Sequence, residues 1–248
     1  MTHTPYRLTL ALLVGIGWLS LPCATAADPA TAVKETTLQG PGRVALKVRM
    51  EGPSTADVPL QVVCYFRYTK EGVKKMQGAP VELDKNLGGV IAALRERGEF
   101  QGDELETALI IPPDGSIKAK ALLLVGLGEE KNLSLDTMER VGKVALREAS
   151  RLGATKVAFA PLIRDQGNEA FKAGHIETAI VRGMLLTYDT ERRLQDQGLT
   201  KTYKLDEWWV ESGPAYYDET VAGVKKAIDQ AEAAVKARDS KPYSSKGK

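Results

Sequence analysis

Between residues 44 and 51 apolar and polar side chains take turns, with Val44, Leu46, Val48 and Met50 interleaved by Ala45, Lys47, Arg49 and Glu51. A period of two sends the two sets to opposite faces, so this segment predicts a strand with one wet face, ended by Gly52-Pro53-Ser54. From Val58 to Phe66 (VPLQVVCYF) the apolar run is almost continuous and rich in β-branched residues, the pattern of an interior strand buried on both faces. Tyr68 to Ala79 is polar, carries two glycines and reads as a surface loop or lid. Asp84 is placed to cap a helix in which Leu87, Val90, Ile91 and Leu94 follow i, i+3, i+4, i+7, and Gly98 stops it.

Leu105 to Ile111 and Ala119 to Val125 predict two strands joined through Pro112-Pro113-Asp114-Gly115, hence neighbouring antiparallel partners. Gly126-Leu127-Gly128 then leaves the sheet. Ser134 heads a long helix with Leu135, Met138, Val141, Ala145, Ala149 and Leu152 on one stripe, closed by Gly153. Lys156 to Ala160 is a short buried strand, and Asn168 opens a third helix running to about Tyr188. A polar break follows over Glu191 to Gly198. Thr202 to Val210, with Trp208-Trp209, predicts a last strand, and Thr220 to Arg238 an amphipathic helix. Strands alternating with helices, plus one tight hairpin, predict an α/β fold: a three-layer α/β/α domain with a mixed sheet.

The N-terminus follows a different rule. Arg7, the apolar run Leu8 to Leu21 and Ala24-Thr25-Ala26 have the layout of a signal peptide over residues 1–26, which predicts an exported chain, periplasmic or extracellular, with no membrane attachment after cleavage. Residues 27–42, rich in Ala and Thr, read as a disordered lead-in, and residues 239–248 as a disordered basic tail. Cleavage would leave one cysteine, Cys64, and one histidine, His175. An intramolecular disulfide is then excluded, as are zinc sites built from several Cys or His, and no cofactor or metal is expected. The 34 basic and 32 acidic residues of this 248-residue chain are interleaved, for a net charge of +2, which gives no one-sided basic face for nucleic acid.

Several segments in order resemble the N-terminal domain of the leucyl (cytosol) aminopeptidase family. They are VPLQVVCYF, the Leu83 to Glu99 helix segment with Gly88-Gly89, the unit KALLLVGLGEEKNLSLDTMERVGKVALREASRLGATKVAF, and the helix ending IVRGMLLTYDTERR. The resemblance implies a macro-like domain over residues 43–200, then a final strand and linker-like helix over 201–238. It also implies that the family's two-metal chemistry lies in a second domain, so none of its catalytic or metal-binding residues carries over to a position here. The expected role is a non-catalytic interaction, oligomerisation or regulatory module that assembles with itself or another protein. The label of metalloaminopeptidase, or of proteolysis, has no supporting residues in this sequence.

The alternative is binding of a phosphate-containing small molecule of the ADP-ribose or nucleotide type, as in macro domains. Its candidate residues are Asn86, Gly88, Gly89 and Val90, where glycines at a helix start would let free N–H groups approach a diphosphate, with Gly126 and Gly128 as the facing wall. Cys64 lies in the most apolar strand and reads as an inert small hydrophobe, His175 as a packed or surface residue, Ser134 as a helix cap, and Trp208-Trp209 as core.

Overall fold

The computed structural model describes Met1, Thr2 and residues 33–243, so the expected signal peptide falls outside the described residues except for its first two positions. The strands are β1 (Glu35–Gln39), β2 (Ala45–Arg49), β3 (Leu60–Tyr65), β4 (Thr107–Ile110), β5 (Leu122–Gly126), β6 (Lys156–Ala160) and β7 (Glu207–Glu211). They form one sheet in the order β1-β2-β7-β6-β3-β5-β4. Its central strands β2, β7, β6, β3 and β5 are parallel, and β1 and β4 run antiparallel at the two edges. The helices are α1 (Lys70–Lys75), α2 (Ala79–Asn86), α3 (Val90–Glu96), α4 (Leu135–Leu152), α5 (Ala173–Asp196) and α6 (Tyr217–Lys236).

The near-continuous apolar run of β3 follows from its place in the middle of the sheet, with every residue buried. Val62 and Cys64 join a core with Val125, Phe159, Trp208 and the inner stripes of α4, α5 and α6. Val63 and Tyr65 join a second core with Leu124, Trp209 and residues Leu83, Leu87 and Ile91 of α2 and α3. The result is the α/β/α sandwich with a mixed sheet that the alternation of elements predicts. Ser134 accepts the Thr137 N–H at 3.0 Å, and Gly153 closes α4 at φ +67°, both as their positions require.

Four expectations need correction. The disordered lead-in is too long, because Glu35–Gln39 is a strand whose register sets Glu35 opposite Arg49 and Gln39 opposite Ala45. ETTLQ has one aliphatic side chain and therefore no readable period; the ladder, a 2.9 Å Arg49–Glu35 ion pair and a Tyr217 hydroxyl bond to Thr36 Oγ1 fix it. The helix expected from Asp84 is two helices, split where Gly88 and Gly89 take φ of +69° and +84°. α5 starts at Ala173 rather than Asn168, which instead accepts the Ala170 N–H. It also runs through the expected polar break, since Glu191, Arg192, Arg193 and Gln195 are good helix formers. Finally, residues 201–238 are integral: β7 lies between β2 and β6, Trp208 is fully buried, and α6 packs along α5. Of the expected tail, 239–243 contact the end of α5 through Arg193 and Gln197, and 244–248 lie outside the described residues.

α5 meets both neighbouring helices at backbone distance. A Cβ on Gly142 of α4 would sit 2.1 Å from the Ile180 carbonyl oxygen, and one on Gly183 the same distance from that of Glu139. On the other flank, a Cβ on Gly223 of α6 would lie 2.3 Å from the Gly174 carbonyl oxygen. The Thr178 hydroxyl lies 2.7 Å and 3.0 Å from the carbonyl oxygens of Gly174 and Gly223, bridging the two helices. Gly142→Ala is therefore expected to lower unfolding free energy by about 2–3 kcal/mol in a urea titration, because carbonyl backbone must move to admit the methyl. Gly213→Ala, with open space around it, is expected to stay within about 0.5 kcal/mol of the wild type.

Candidate functional site

The parallel strands all end on one side of the sheet, where open α/β folds gather their binding groups. Two clefts open there, both bordered by the segment that leaves β6. The first, of about 630 Å³, is walled by residues following β3 and β5, by α1 and by Arg95 of α3. Gln166 fixes its floor: its Oε1 accepts the Phe66 N–H, and its Nε2 donates to the carbonyls of Cys64 and Leu162, all at 3.0 Å. Thr69 caps α1 by accepting the Gly72 N–H at 2.9 Å, which holds that helix over the cleft.

Arg95 is the unusual group in this wall. It is 3% exposed, and its Nη2 donates to the Phe66 carbonyl at 3.0 Å. The guanidinium lies 4.8 Å from the ring centre of Tyr65 and 5.7 Å from that of Tyr68. Its Nε and Nη1 have no hydrogen-bond partner among the described residues. Burial pulls its pKa below the ordinary arginine value, against the opposing pull of Tyr65, Tyr68, Asp84 and Glu106. The other cations here already have carboxylates: Arg67 with Asp103 at 3.2 Å, Lys75 with Glu130 and Lys131 with Glu129, each at 3.1 Å. Among the described residues Arg95 has no such ion pair, and Asp84 and Glu106 act on its charge only at longer range.

The second cleft, of about 570 Å³, lies at the carboxyl ends of β2, β6 and β7 and against the first turns of α5 and α6. Its wall is mostly apolar but carries Glu51, Glu177 and Glu211. Glu177 and Glu211 are 4% and 7% exposed. Gln61 Nε2 donates to Glu211 Oε2 at 2.9 Å, while Glu211 Oε1 and Glu177 Oε2 have no partner among the described residues. Burial raises the pKa of Glu177 to about 8 and that of Glu211 well above the usual carboxylate range. Glu51 is paired with Arg49.

The candidate residues from the sequence lie elsewhere, and none of them lines either cleft. Asn86 donates to Ser54 Oγ at 3.2 Å, Gly88 and Gly89 form the α2–α3 turn, and Val90 is exposed at the start of α3. The free N–H groups expected to cradle a phosphate are already engaged, since those of Ile91 and Ala92 donate to Asp84 Oδ1 at 2.8 and 3.2 Å. Gly126 and Gly128 serve packing: a Cβ on Gly126 would meet the Asp103 carbonyl oxygen at 1.9 Å, and Gly128 has φ +75° beside Glu104. Cys64 is fully buried, with burial pushing its thiol pKa up, and His175 is exposed. Sequence reasoning passed over Arg95, Glu177 and Glu211. Their signal was a charge standing on an apolar stripe: Arg95 continues Leu87 and Ile91 at i+8 and i+4, and Glu177 precedes Ile180 and Met184 at helical spacing.

Residues 62–196 match the family model described as the cytosol aminopeptidase family, N-terminal domain. The chain belongs to this family. A probable cytosol aminopeptidase of Alkaliphilus oremlandii is 32% identical over 140 residues, 55% of this chain and 28% of that protein. One from Geotalea uraniireducens is 32% identical over 139 residues, 55% of this chain and 27% of the relative. The chain thus spans just over a quarter of the length of these two family members. Tomato leucine aminopeptidase has a similar fold, with a TM-score of 0.55 at 17% identity, covering 85% of this chain and 40% of the other. So does an Oceanobacillus iheyensis macrodomain solved with ADP, with a TM-score of 0.53 at 10% identity, covering 81% and 100%. Both family resemblance and macro-like fold, as read from the segments above, are therefore established.

Glu177 ties the second cleft to stability. In the unfolded chain it ionises near its ordinary value of 4.5, but in the fold it keeps its proton to about pH 8. The folded state therefore binds more protons in that window, and its stability falls as pH rises from about 4.5 to about 8 before levelling. Glu177→Gln removes this loss. Thermal melts are expected to show the variant on the order of 10 °C more stable than the wild type at pH 8 and nearly equal to it at pH 4.5.

Proposed function

We propose that the chain is a non-catalytic regulatory module of its family, exported after removal of residues 1–26, whose Arg95 cleft binds a small molecule through a phosphate or carboxylate group. One observation carries this reading: a buried arginine with two nitrogens unpartnered, in the wall of a cleft at the carboxyl end of a parallel sheet. A buried donor left without a partner costs stability, and more so when it is charged, so such a group finds its acceptor in what enters the cleft. The placement agrees with the physics of an anion site better than the Gly88-Gly89 turn does, where Asp84 already occupies the helix start. A macrodomain of the same fold was solved with ADP, which makes ADP and inorganic phosphate the natural first probes.

Association with a second copy or another protein, the role the resemblance implies, is the second reading. It is favoured by the open edge of the sheet, where Leu109 on β4 is 45% exposed and Ile111 just beyond it 71% exposed. An unpaired edge strand with apolar side chains is a template for another strand. Under this reading mass measured by light scattering rises with concentration, and Ile111→Glu holds the chain at its monomer mass; a concentration-independent monomer in the wild type contradicts self-association.

The ligand reading predicts saturable binding of ADP in calorimetry with the full chain. Arg95→Gln is expected to weaken it at least ~10-fold, the loss of a hydrogen bond to a charged group, while Gly88→Glu leaves it unchanged. Retained affinity in Arg95→Gln, with a melt showing the variant folded, or loss in Gly88→Glu alone, overturns the assignment.

A further inference from the structure

The second cleft presents chemistry of the opposite sign, and nothing in the anion reading uses it. Its three buried or half-buried carboxylates come from separate elements: Glu51 just beyond β2, Glu211 at the end of β7 and Glu177 in the first turns of α5. Two of them, Glu177 and Glu211, are more than nine-tenths buried, and each has an oxygen with no hydrogen-bond partner among the described residues. Asp165 adds a fourth acidic residue to the wall, against one cation, Arg164. Arg164 is partly engaged: its Nη2 donates to the Phe171 carbonyl at 2.8 Å and the guanidinium lies 5.2 Å from the ring centre of Tyr216, while its Nε has no partner among the described residues. The rest of the surface is apolar, with Pro161, Leu162, Ile176, Pro214 and Tyr216 among its residues.

We propose that this cleft is a binding site for a small organic cation, an amine or guanidine on an apolar body, with its charged head at Glu177 and Glu211 and its body against Ile176, Leu162 and Tyr216. The volume, about 570 Å³, is in the range of small-molecule sites. Burying two carboxylates with only Arg49 nearby, itself paired with Glu51, is costly, and a cation carried in by a ligand supplies both charge and the missing donors. The arrangement favours a diffuse organic cation over a metal ion: among the described residues no group of three or more His, Cys, Asp or Glu side chains is close enough to hold a metal. The apolar wall would contribute nothing to a hydrated ion but would bury the body of an amine.

The test uses the full chain at about pH 8.5, above the value of about 8 to which burial raises Glu177 and where an alkylamine keeps its charge. Three probes of one shape, isoamylamine, isoamyl alcohol and isovalerate, are titrated by calorimetry. The amine is expected to saturate, the alcohol to bind at least ~10-fold more weakly, and isovalerate not to bind. Glu177→Gln and Glu211→Gln, which keep shape and hydrogen bonding while removing charge, are each expected to weaken the amine ~10-fold and leave the alcohol unchanged. Arg95→Gln is expected to leave amine binding intact, so that this site and the anion cleft succeed or fail separately. Equal binding of amine and alcohol, unchanged amine affinity in both glutamine variants, or no saturable binding by any probe overturns the proposal. The probe series in the wild type decides the matter even where a variant fails to fold.

Discussion

The structure hangs on how closely α5 approaches its neighbours. Glycines at Gly142 and Gly183 let α4 and α5 meet backbone to backbone, and Gly174 and Gly223 do the same for α5 and α6, with Thr178 bridging the second crossing. Three helices drawn this tightly form one rigid layer over the face carrying Val62, Phe159 and Trp208. The first turn of α5 is thereby fixed at the carboxyl end of the sheet, which is where Glu177 enters the wall of the second cleft. A packing constraint thus positions a charge.

The opposite face is covered more lightly, by the short helices α2 and α3 split at Gly88-Gly89. That split turns α3 so that Ile91 and Arg95 both point inward, one into the core and one beneath the first cleft. The two clefts stand at one end of one sheet, and among the described residues each holds buried polar atoms without a hydrogen-bond partner, those of Arg95 in one and of Glu177 and Glu211 in the other. Replacing buried, partly satisfied charges by apolar groups of similar volume is often neutral or stabilising, so the architecture alone does not require them.

Much of the fold was legible because its signals are local. The alternation of β2, the continuous apolar run of β3, the Ser134 and Gly153 caps of α4 and the antiparallel pairing of β4 with β5 each follow from short-range rules and stand in the structure, although β4 and β5 are joined through residues 111–121 rather than by a tight turn. β1 was not legible, since ETTLQ owes its strand to the register of β2 and to ion pairs with Lys47 and Arg49. The glycine candidates lost their free N–H groups for a related reason. Paired glycines before a helix are an anion-binding pattern only if the helix N–H groups are free, and Asp84, seven residues ahead of Ile91, takes them through the fold of the α2–α3 turn. The residues that do stand unpaired were visible only as charges on apolar stripes, a pattern that gains meaning once burial and partners are known.

The most direct test of the ligand account is an amide NMR titration of the full chain with ADP. The account predicts that the largest shift changes fall on residues 66–72, 95, 129–131 and 166–168, around the cleft walled by Arg95, while 86–90 stay unmoved. Changes centred on 86–90 and 126–128, or an unperturbed spectrum at saturating ADP, would contradict it.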